Sequence, residues 1–329
     1  MNFQCKNCGG NMVFSPKMQK MYCPYCDGTD CEEKRGDASI TVCYSCGGEI
    51  NADEVTSATK CPYCGNYLIL DPRVEGVYEP REILPFKLSK EDAVKAMEKE
   101  FEKRIFTPNS FLSEKTLVNL EGSYVPFFLY DFDGNADYHA EGTKTRSWRG
   151  GNYRYTETSY YEIIRQLDVD FKKIPADASL KAPDDIMDLM EPYDYGDNVK
   201  FDPKYMSGFN GEIYNAPESE FIGRAKEKAE KSAITLINDS ISGYNSVKHV
   251  QTRYTFKNTD TSYALLPVWV YKYKWAGKEY IFHVNGQNGK VVGKTPISAK
   301  KVILFGVTRA FLTWALCEII FRLLGGFMS

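Results

Sequence analysis

Two stretches of the chain carry apolar residues at helical spacing. Ser89 is a predicted N-cap with Asp92 three residues later, and apolar residues then recur every three or four positions as far as Ile105. An acceptor side chain at the N-cap and a carboxylate three residues on satisfy backbone amides of a first helical turn. Residues 217–241 show a second helical pattern with a charged outer face. The sequence therefore predicts helices at 89–104 and 217–241.

Runs of β-branched and aromatic residues predict strands around these helices. The first strand is expected at 124–130, with a turn near Asp133-Gly134 and a continuation to Tyr138. Asparagine–glycine pairs at 285–286 and 288–289 indicate a hairpin turn near the end of the domain. Further strands are predicted at 153–171, 247–256, 265–275, 279–284 and 290–292.

Each predicted helix is followed by a similar strand. VPFFLY at 125–130 follows the first helix, and LPVWVY at 266–271 follows the second. The match is short, so chance is an alternative explanation. If the repeat is real, residues 80–298 form a mixed α+β domain of two similar halves, which share one sheet or pack sheet on sheet.

A long apolar segment, 301–324, follows this domain. Eleven of the twenty residues at 302–321 are Leu, Ile, Val or Phe, worth roughly −3 to −7 kcal/mol for membrane insertion. Arg309 interrupts the segment at a cost of about 2.5 to 3.5 kcal/mol, and Glu318 lies near its end. A single membrane span is predicted, with a helix buried in a partner or an oligomer as the alternative. Lysines at 294, 300 and 301 precede the segment, so the positive-inside rule places the rest of the chain in the cytoplasm.

Nine of the ten cysteines lie in the first 64 residues, and eight of them form four CxxC pairs. Each of the first two pairs recurs 38 residues later, as Cys5 does at Cys43, which indicates an internal duplication. Four thiolates are the ligand set of a closed, tetrahedral structural zinc site, whereas catalytic zinc usually keeps three protein ligands. Two zinc ribbons, at 1–30 and 39–72, are therefore predicted, each holding one structural Zn²⁺. Their ligands are Cys5, Cys8, Cys23 and Cys26 in ribbon 1, and Cys43, Cys46, Cys61 and Cys64 in ribbon 2.

Ribbon 1 departs from the repeat in two ways. Asp27 follows Cys26, where glycine follows the second cysteine of the other three knuckles. Cys31 comes five residues after Cys26, within a polar segment at 28–37 that is expected to link the ribbons. We expect Cys31 to be a bystander thiol, with competition for the metal as the alternative. The metal should supply much of each ribbon's folding energy, and the ribbons and the α+β domain are expected to have separate cores.

Charge and composition limit the possible functions. The 329 residues carry 41 Lys and Arg against 44 Asp and Glu, and residues 1–70 carry six basic and eight acidic side chains. Proteins that grip phosphate backbones usually show a basic excess, so nucleic-acid binding by the ribbons is disfavoured. The three histidines are far apart, which excludes an HExxH motif, and no catalytic residues or organic cofactor site can be nominated. We therefore expect a protein that is not an enzyme, with its thiols in a reducing compartment.

Blocks along nearly the whole chain resemble the bacterial TFIIB-type zinc-ribbon-containing membrane-anchored proteins. Besides the paired ribbons, they are IPADAS at 174–179, EPYDY at 191–195, SGF at 207–209, LPVW at 266–269 and GKVVG at 289–293. The resemblance implies a double zinc ribbon, an α+β domain and a C-terminal membrane segment. Some relatives are similar to anchors that accompany phage-shock-protein-A-like and flotillin-like (SPFH) proteins in envelope stress, so the resemblance implies a protein partner of that kind.

Two classes of function follow. The first is a non-enzymatic adaptor at the cell membrane, whose ribbons and α+β domain lie on the cytoplasmic side and present a docking surface to a protein. The second is a zinc-ribbon protein that binds nucleic acid in replication or transcription. The negative charge of the ribbons and the apolar C-terminal segment both favour the adaptor.

Overall fold

The structure of the chain is a computed structural model, which describes residues 1–35, 42–111, 120–179 and 184–325. It is an α+β fold with two N-terminal four-cysteine groups, a sheet-rich domain and a C-terminal apolar helix, as predicted. The predicted start of ribbon 2, at 39–41, lies outside the described residues. The strands are β1 (Asn2–Cys5), β2 (Val13–Ser15), β3 (Lys20–Tyr22), β4 (Glu32–Arg35), β5 (Thr56–Lys60), β6 (Tyr67–Ile69), β7 (Glu82–Ile83), β8 (Leu120–Gly150), β9 (Tyr153–Asp177), β10 (Val199–Lys200), β11 (Asn210–Glu212), β12 (Ser246–Trp275), β13 (Lys278–Asn285) and β14 (Val291–Gly293).

Two very long antiparallel strands, β8 and β12, form the centre of the main sheet. The hairpin partner β9 flanks β8, and β13 flanks β12. The turn predicted near Asp133-Gly134 is wrong, because β8 continues through these residues. A Cβ on Gly134 would lie 2.0 Å from the carbonyl oxygen of Thr255 on β12, so this glycine permits a close approach of two strands. The strands predicted at 247–256 and 265–275 are likewise one strand, β12.

Four helices are described: α1 (Lys90–Glu102), α2 (Asp184–Met190), α3 (Ile222–Asp239) and α4 (Ala299–Gly325). The predicted start of α1 is confirmed, since Ser89 accepts a hydrogen bond from the Asp92 amide and the Asp92 carboxylate accepts one from the Ser89 amide. The helix predicted at 217–241 is α3, which buries Ala225, Ala229, Ala233 and Ile237 along one face.

The topology has the two-fold character that the repeated strand motifs suggested. The unit α1–β8–β9 and the unit α3–β12–β13 share one order of elements, and β8 pairs with β12 at the centre. Val125 and Leu266, which open the two motifs, are direct partners across that pair. Each helix packs against the outer strand of the other unit. The ring centres of Phe101 on α1 and Phe282 on β13 lie 5.0 Å apart, and α3 packs against β9. The two halves share one sheet.

The ribbons are built into this domain. Strand β5 of ribbon 2 pairs with β11, which in turn pairs with β8, so ribbon 2 extends the main sheet. In ribbon 1, Phe14 packs edge-on against Tyr205 at 5.0 Å, and the Ser207 hydroxyl donates a hydrogen bond to the Met12 carbonyl at 2.7 Å. Apolar residues of ribbon 1 and of the sheet belong to one buried cluster. The expectation of separate cores is therefore wrong for ribbon 1, because side chains far apart in sequence complete its small core. Ribbon 2 has a small buried cluster of its own around its thiols, formed by Cys43, Ile50, Cys61 and Leu68.

Helix α4 extends away from the domain. Its residues Ala299–Phe321 form a helix long and apolar enough to cross a membrane, and none of its most apolar window is buried. At about 1.5 Å per residue it matches a hydrocarbon core of about 30 Å. Lys301 fastens the start of the helix by donating to the carbonyl of Thr107 and to Asn109 Oδ1, both at 2.6 Å. The Arg309 guanidinium lies 5.1 Å from the centre of the Phe305 ring.

Candidate metal centres

The eight predicted ligands form two groups of four thiols, and within each group all sulfurs lie within 4.8 Å of one another. In each CxxC knuckle the first cysteine's amide donates to a carbonyl five residues on, and its carbonyl accepts from the residue four positions on. These paired bonds fold each knuckle so that both of its sulfurs face the other knuckle. The groups are Cys5, Cys8, Cys23 and Cys26 in ribbon 1, and Cys43, Cys46, Cys61 and Cys64 in ribbon 2.

The residue after each knuckle adopts a left-handed backbone. Gly9, Gly47 and Gly65 have φ values of 73°, 72° and 75°, which glycine adopts without steric cost. In the remaining knuckle this position is Asp27, with φ 58°. Aspartate tolerates this conformation better than most residues, and the Asp27 carboxylate also accepts a hydrogen bond from the Tyr22 hydroxyl. The departure from the glycine pattern therefore preserves the knuckle geometry.

A second glycine in each ribbon makes room for a tyrosine of the opposite knuckle. A Cβ on Gly10 would lie 2.5 Å from the Tyr25 ring, and a Cβ on Gly48 would lie 2.5 Å from the Tyr63 ring. Each tyrosine therefore packs one side against its own ribbon, yet Tyr25 and Tyr63 stay 71% and 70% exposed. They occupy equivalent positions, 38 residues apart, and leave a matched aromatic surface on each ribbon.

Backbone amides stabilise thiolates at both centres. Desolvation opposes ionisation of Cys5, but hydrogen bonds from the amides of Cys8 and Asn7 lower its pKa to about 6. At Cys61 desolvation also opposes ionisation, but hydrogen bonds from the amides of Cys64 and Tyr63 lower its pKa to about 7. A thiolate is the metal-binding form of cysteine, so these amides favour metal binding at Cys5 and Cys61. In the same two groups the pKa values of Cys26 and Cys64 are raised to about 12, in part by their hydrogen bonds with the neighbouring thiols.

The sulfur positions fit a tetrahedral ion. Zinc–sulfur bonds of about 2.3 Å place the sulfurs of a four-thiolate site about 3.8 Å apart. The sulfur–sulfur distances agree with this value: Cys5–Cys26 is 3.6 Å and Cys8–Cys23 is 3.5 Å in ribbon 1, and the matching pairs in ribbon 2 are 3.7 and 3.8 Å. Each group can therefore hold one metal ion, and its geometry is consistent with zinc.

Cys31 lies beside the first centre. Its sulfur is 3.4 Å from Cys5 Sγ, although Cys31 is outside the group of four mutually close thiols. The segment expected to be a polar linker contains β4, which pairs with β1 through backbone hydrogen bonds that need no apolar side chains. The polar side chains of this segment do not indicate a strand. The pairing of β4 with β1 nevertheless places Cys31 next to the knuckle of Cys5.

A cavity of about 530 Å³, which no sequence pattern indicates, lies against the main sheet beside α2, and Met187 of α2 contributes to its lining. Its lining includes Ser179, Glu212 and His283, which come from three separate segments. The Ser179 hydroxyl donates to Glu212 at 2.7 Å. Burial, together with the charge of Lys272, lowers the pKa of His283 to about 4, so its imidazole is neutral at pH 7. These polar residues come together only when the sheet is folded.

Comparison with known proteins gives one informative relative. No protein-family model matches the chain, and no solved structure matches it. The uncharacterized protein YdjG of Bacillus subtilis (strain 168) is 34% identical to it over 99% of each chain. A match that spans both chains includes the ribbons, the sheet domain and the apolar helix together. The chain therefore belongs to the same family as YdjG.

Proposed function

We propose that this protein is a non-enzymatic, membrane-tethered adaptor whose two zinc ribbons present a cytoplasmic docking surface to a protein partner. The observation that carries the proposal is the exposed, span-length helix α4 on a domain that also displays two rigid four-thiol ribbons. A zinc ion held by four thiolates has no open position for water, which supports a structural role for the metal. Lys301 and the lysines before it favour the cytoplasmic side for the domain.

The docking surface would centre on the exposed tyrosines of the ribbons. Exposed aromatic residues on a rigid support are frequent anchors of protein interfaces. Tyr25 and Tyr63 repeat at equivalent positions, so one partner motif could engage both ribbons. A phage-shock-protein-A-like or SPFH-like partner, as in envelope stress, is the form that the family resemblance suggests.

Membrane fractionation and cross-linked co-purification of the full-length chain test this proposal. We expect the protein to need detergent for extraction, and a double Tyr25→Ser, Tyr63→Ser variant to stay in the membrane but lose its partner. Tyr160→Ser is the matched control, because Tyr160 is 68% exposed on β9, away from the ribbons. Extraction without detergent would refute the tether, and unchanged partner recovery by the double variant would refute docking through the ribbons.

One observation favours the nucleic-acid alternative, and it lies outside the ribbons. The β8–β9 hairpin carries Lys144, Arg146, Arg149 and Arg154 against Glu157 over residues 143–161. Trp148 stacks on Tyr155 at 5.8 Å, and the Arg146 guanidinium lies 5.6 Å from the Trp148 ring centre. Basic and aromatic residues together are the features that bind single strands.

Fluorescence anisotropy with a labelled single-stranded oligonucleotide distinguishes this alternative. Under the adaptor proposal, the full-length protein shows no binding at micromolar concentration. Binding that weakens steeply with salt, and that is lost in an Arg146→Ala, Trp148→Ala variant, would instead favour the nucleic-acid function.

A further inference from the structure

Ribbon 1 has a fifth thiol that ribbon 2 lacks. Cys31 Sγ lies 3.4 Å from Cys5 Sγ, 3.9 Å from Met12 Sδ and 3.8 Å from Asn7 Nδ2. The 38-residue repeat places Ile69 at the equivalent position of ribbon 2, and Ile69 is buried. The two centres therefore have the same ligand set but different surroundings.

The backbone holds Cys31 firmly against the knuckle of Cys5. The Lys6 amide donates to the Cys31 carbonyl at 2.9 Å, and the next residue, Glu32, is the strand partner of Cys5. A Cβ on Gly28 would lie 3.0 Å from Cys31 Sγ and 3.5 Å from Cys26 Sγ, so the missing side chain leaves room for the fifth sulfur. Cys31 is also partly exposed, whereas Cys5 is buried.

This arrangement does not make Cys31 a fifth ligand. Four thiolates complete a tetrahedral zinc site, and Cys31 is outside the four thiols that lie within 4.8 Å of one another. Its short distance is to one ligand, Cys5. A thiol in this position can attack its neighbour once that neighbour has been oxidised, because disulfides form when a resolving thiol lies next to a sulfenic acid.

We propose that Cys31 is a resolving thiol that makes ribbon 1, but not ribbon 2, sensitive to peroxide; the inference rests on the zinc sites of the proposed function. A peroxide oxidises the Cys5 thiolate to a sulfenic acid and is itself reduced, with the O–O bond broken and hydroxide released. The Cys31 thiol then attacks the Cys5 sulfur, forming the S–S bond and releasing water. The two electrons come from the two sulfurs, and ribbon 1, left with three thiols, releases its ion.

The packing of ribbon 1 would transmit this change to the domain. Met12 and Phe14 of ribbon 1 belong to the same buried cluster as Phe86 and Phe209 of the α+β domain. Loss of the metal removes the constraint that orders the ribbon, so it weakens the packing of these side chains. A dithiol reductant would restore the two thiols by exchange and allow zinc to bind again.

The test uses the full-length, zinc-loaded protein in detergent, treated with hydrogen peroxide in the presence of a colorimetric zinc chelator. We expect two kinetic phases of equal amplitude, the faster from ribbon 1, and a Cys5–Cys31 peptide in a non-reducing mass map. In Cys31→Ser and Cys31→Ala the fast phase should slow to the rate of ribbon 2. Cys317→Ala is the matched control, because Cys317 lies in α4, and it should behave like the wild type.

The outcomes separate this inference from the proposed function. Two zinc ions per untreated chain, with equal release by the wild type and both Cys31 variants, would overturn the inference and leave the adaptor proposal intact. A disulfide within the four ligands that forms equally well without Cys31 would also overturn it. Fewer than one zinc ion per untreated chain would refute the zinc sites themselves, and with them this inference.

Discussion

Replacing His283 by glutamine is expected to make the folding stability less dependent on pH. His283 lies on β13 with 6% of its surface exposed, and its Nδ1 atom has no hydrogen-bond partner among the described residues. Burial in this setting disfavours the imidazolium, with a smaller contribution from Lys272, and lowers the pKa from 6.5 to about 4. Glutamine keeps a polar side chain at the cavity without a titrating group.

The sign follows from proton uptake. The unfolded chain binds a proton at this histidine below about pH 6.5, whereas the folded chain does so only below about pH 4. The folding stability associated with His283 is therefore complete above pH 6.5 and is lost as the pH falls toward 4. Between pH 7 and pH 5 the loss amounts to about 2 kcal/mol.

Urea unfolding of the full-length protein in detergent at pH 7 and pH 5, followed by tryptophan fluorescence, measures this loss. The wild type should lose about 2 kcal/mol more than His283→Gln over this interval, because the cysteine thiols and the carboxylates titrate alike in both proteins. His249→Gln, at an exposed histidine on β12, is the control and should keep the wild-type dependence. Equal losses in the wild type and His283→Gln would show that the fold does not hold His283 neutral.

Three further predictions concern the start of α1, the contact between β8 and β12, and the apolar helix α4. Ser89→Ala should cost about 1 kcal/mol of folding free energy, measured by urea unfolding, because it removes the acceptor of the Asp92 amide. Gly134→Ala should lower the free energy of unfolding by about 1–3 kcal/mol or more in the same assay, because its Cβ would lie 2.0 Å from the Thr255 carbonyl oxygen. An unchanged free energy of unfolding would mean that β8 and β12 are farther apart. Val307→Asp should move the protein from the membrane to the soluble fraction, because a carboxylate in α4 adds about 3 kcal/mol to the free energy of membrane insertion of an already marginal segment. If the variant still needed detergent for extraction, the result would argue against the span.

Short-range patterns predicted the local structure well. The Ser89–Asp92 spacing located the start of α1, because capping bonds form within one helical turn. The 38-residue repeat of CxxC pairs identified two four-thiol groups, because two residues between cysteines bring both sulfurs of a knuckle to one side. The apolar composition of α4 indicated a span-length helix, since membrane insertion depends mainly on composition and length.

The errors arose where distant segments meet. Gly134 was expected in a turn, because glycine marks both turns and close strand contacts, and only the position of β12 distinguishes the two. Residues 32–35 were expected in a polar linker, yet they form β4, because backbone pairing with β1 does not require apolar side chains. The ribbons were expected to fold apart from the domain, but the segment that holds Tyr205 and Ser207 completes the core of ribbon 1.

The sequence by itself determined the two four-thiol groups, the duplication and the apolar helix, because each depends on residues that are neighbours along the chain. The tertiary structure alone decided that β5 joins the main sheet, that Cys31 lies 3.4 Å from Cys5, and that His283 lines a cavity with Glu212. These features require segments far apart in sequence to come together, as when Ala58 of β5 pairs with Gly211 of β11. Register is set by the summed packing of the whole sheet, and no local pattern encodes it.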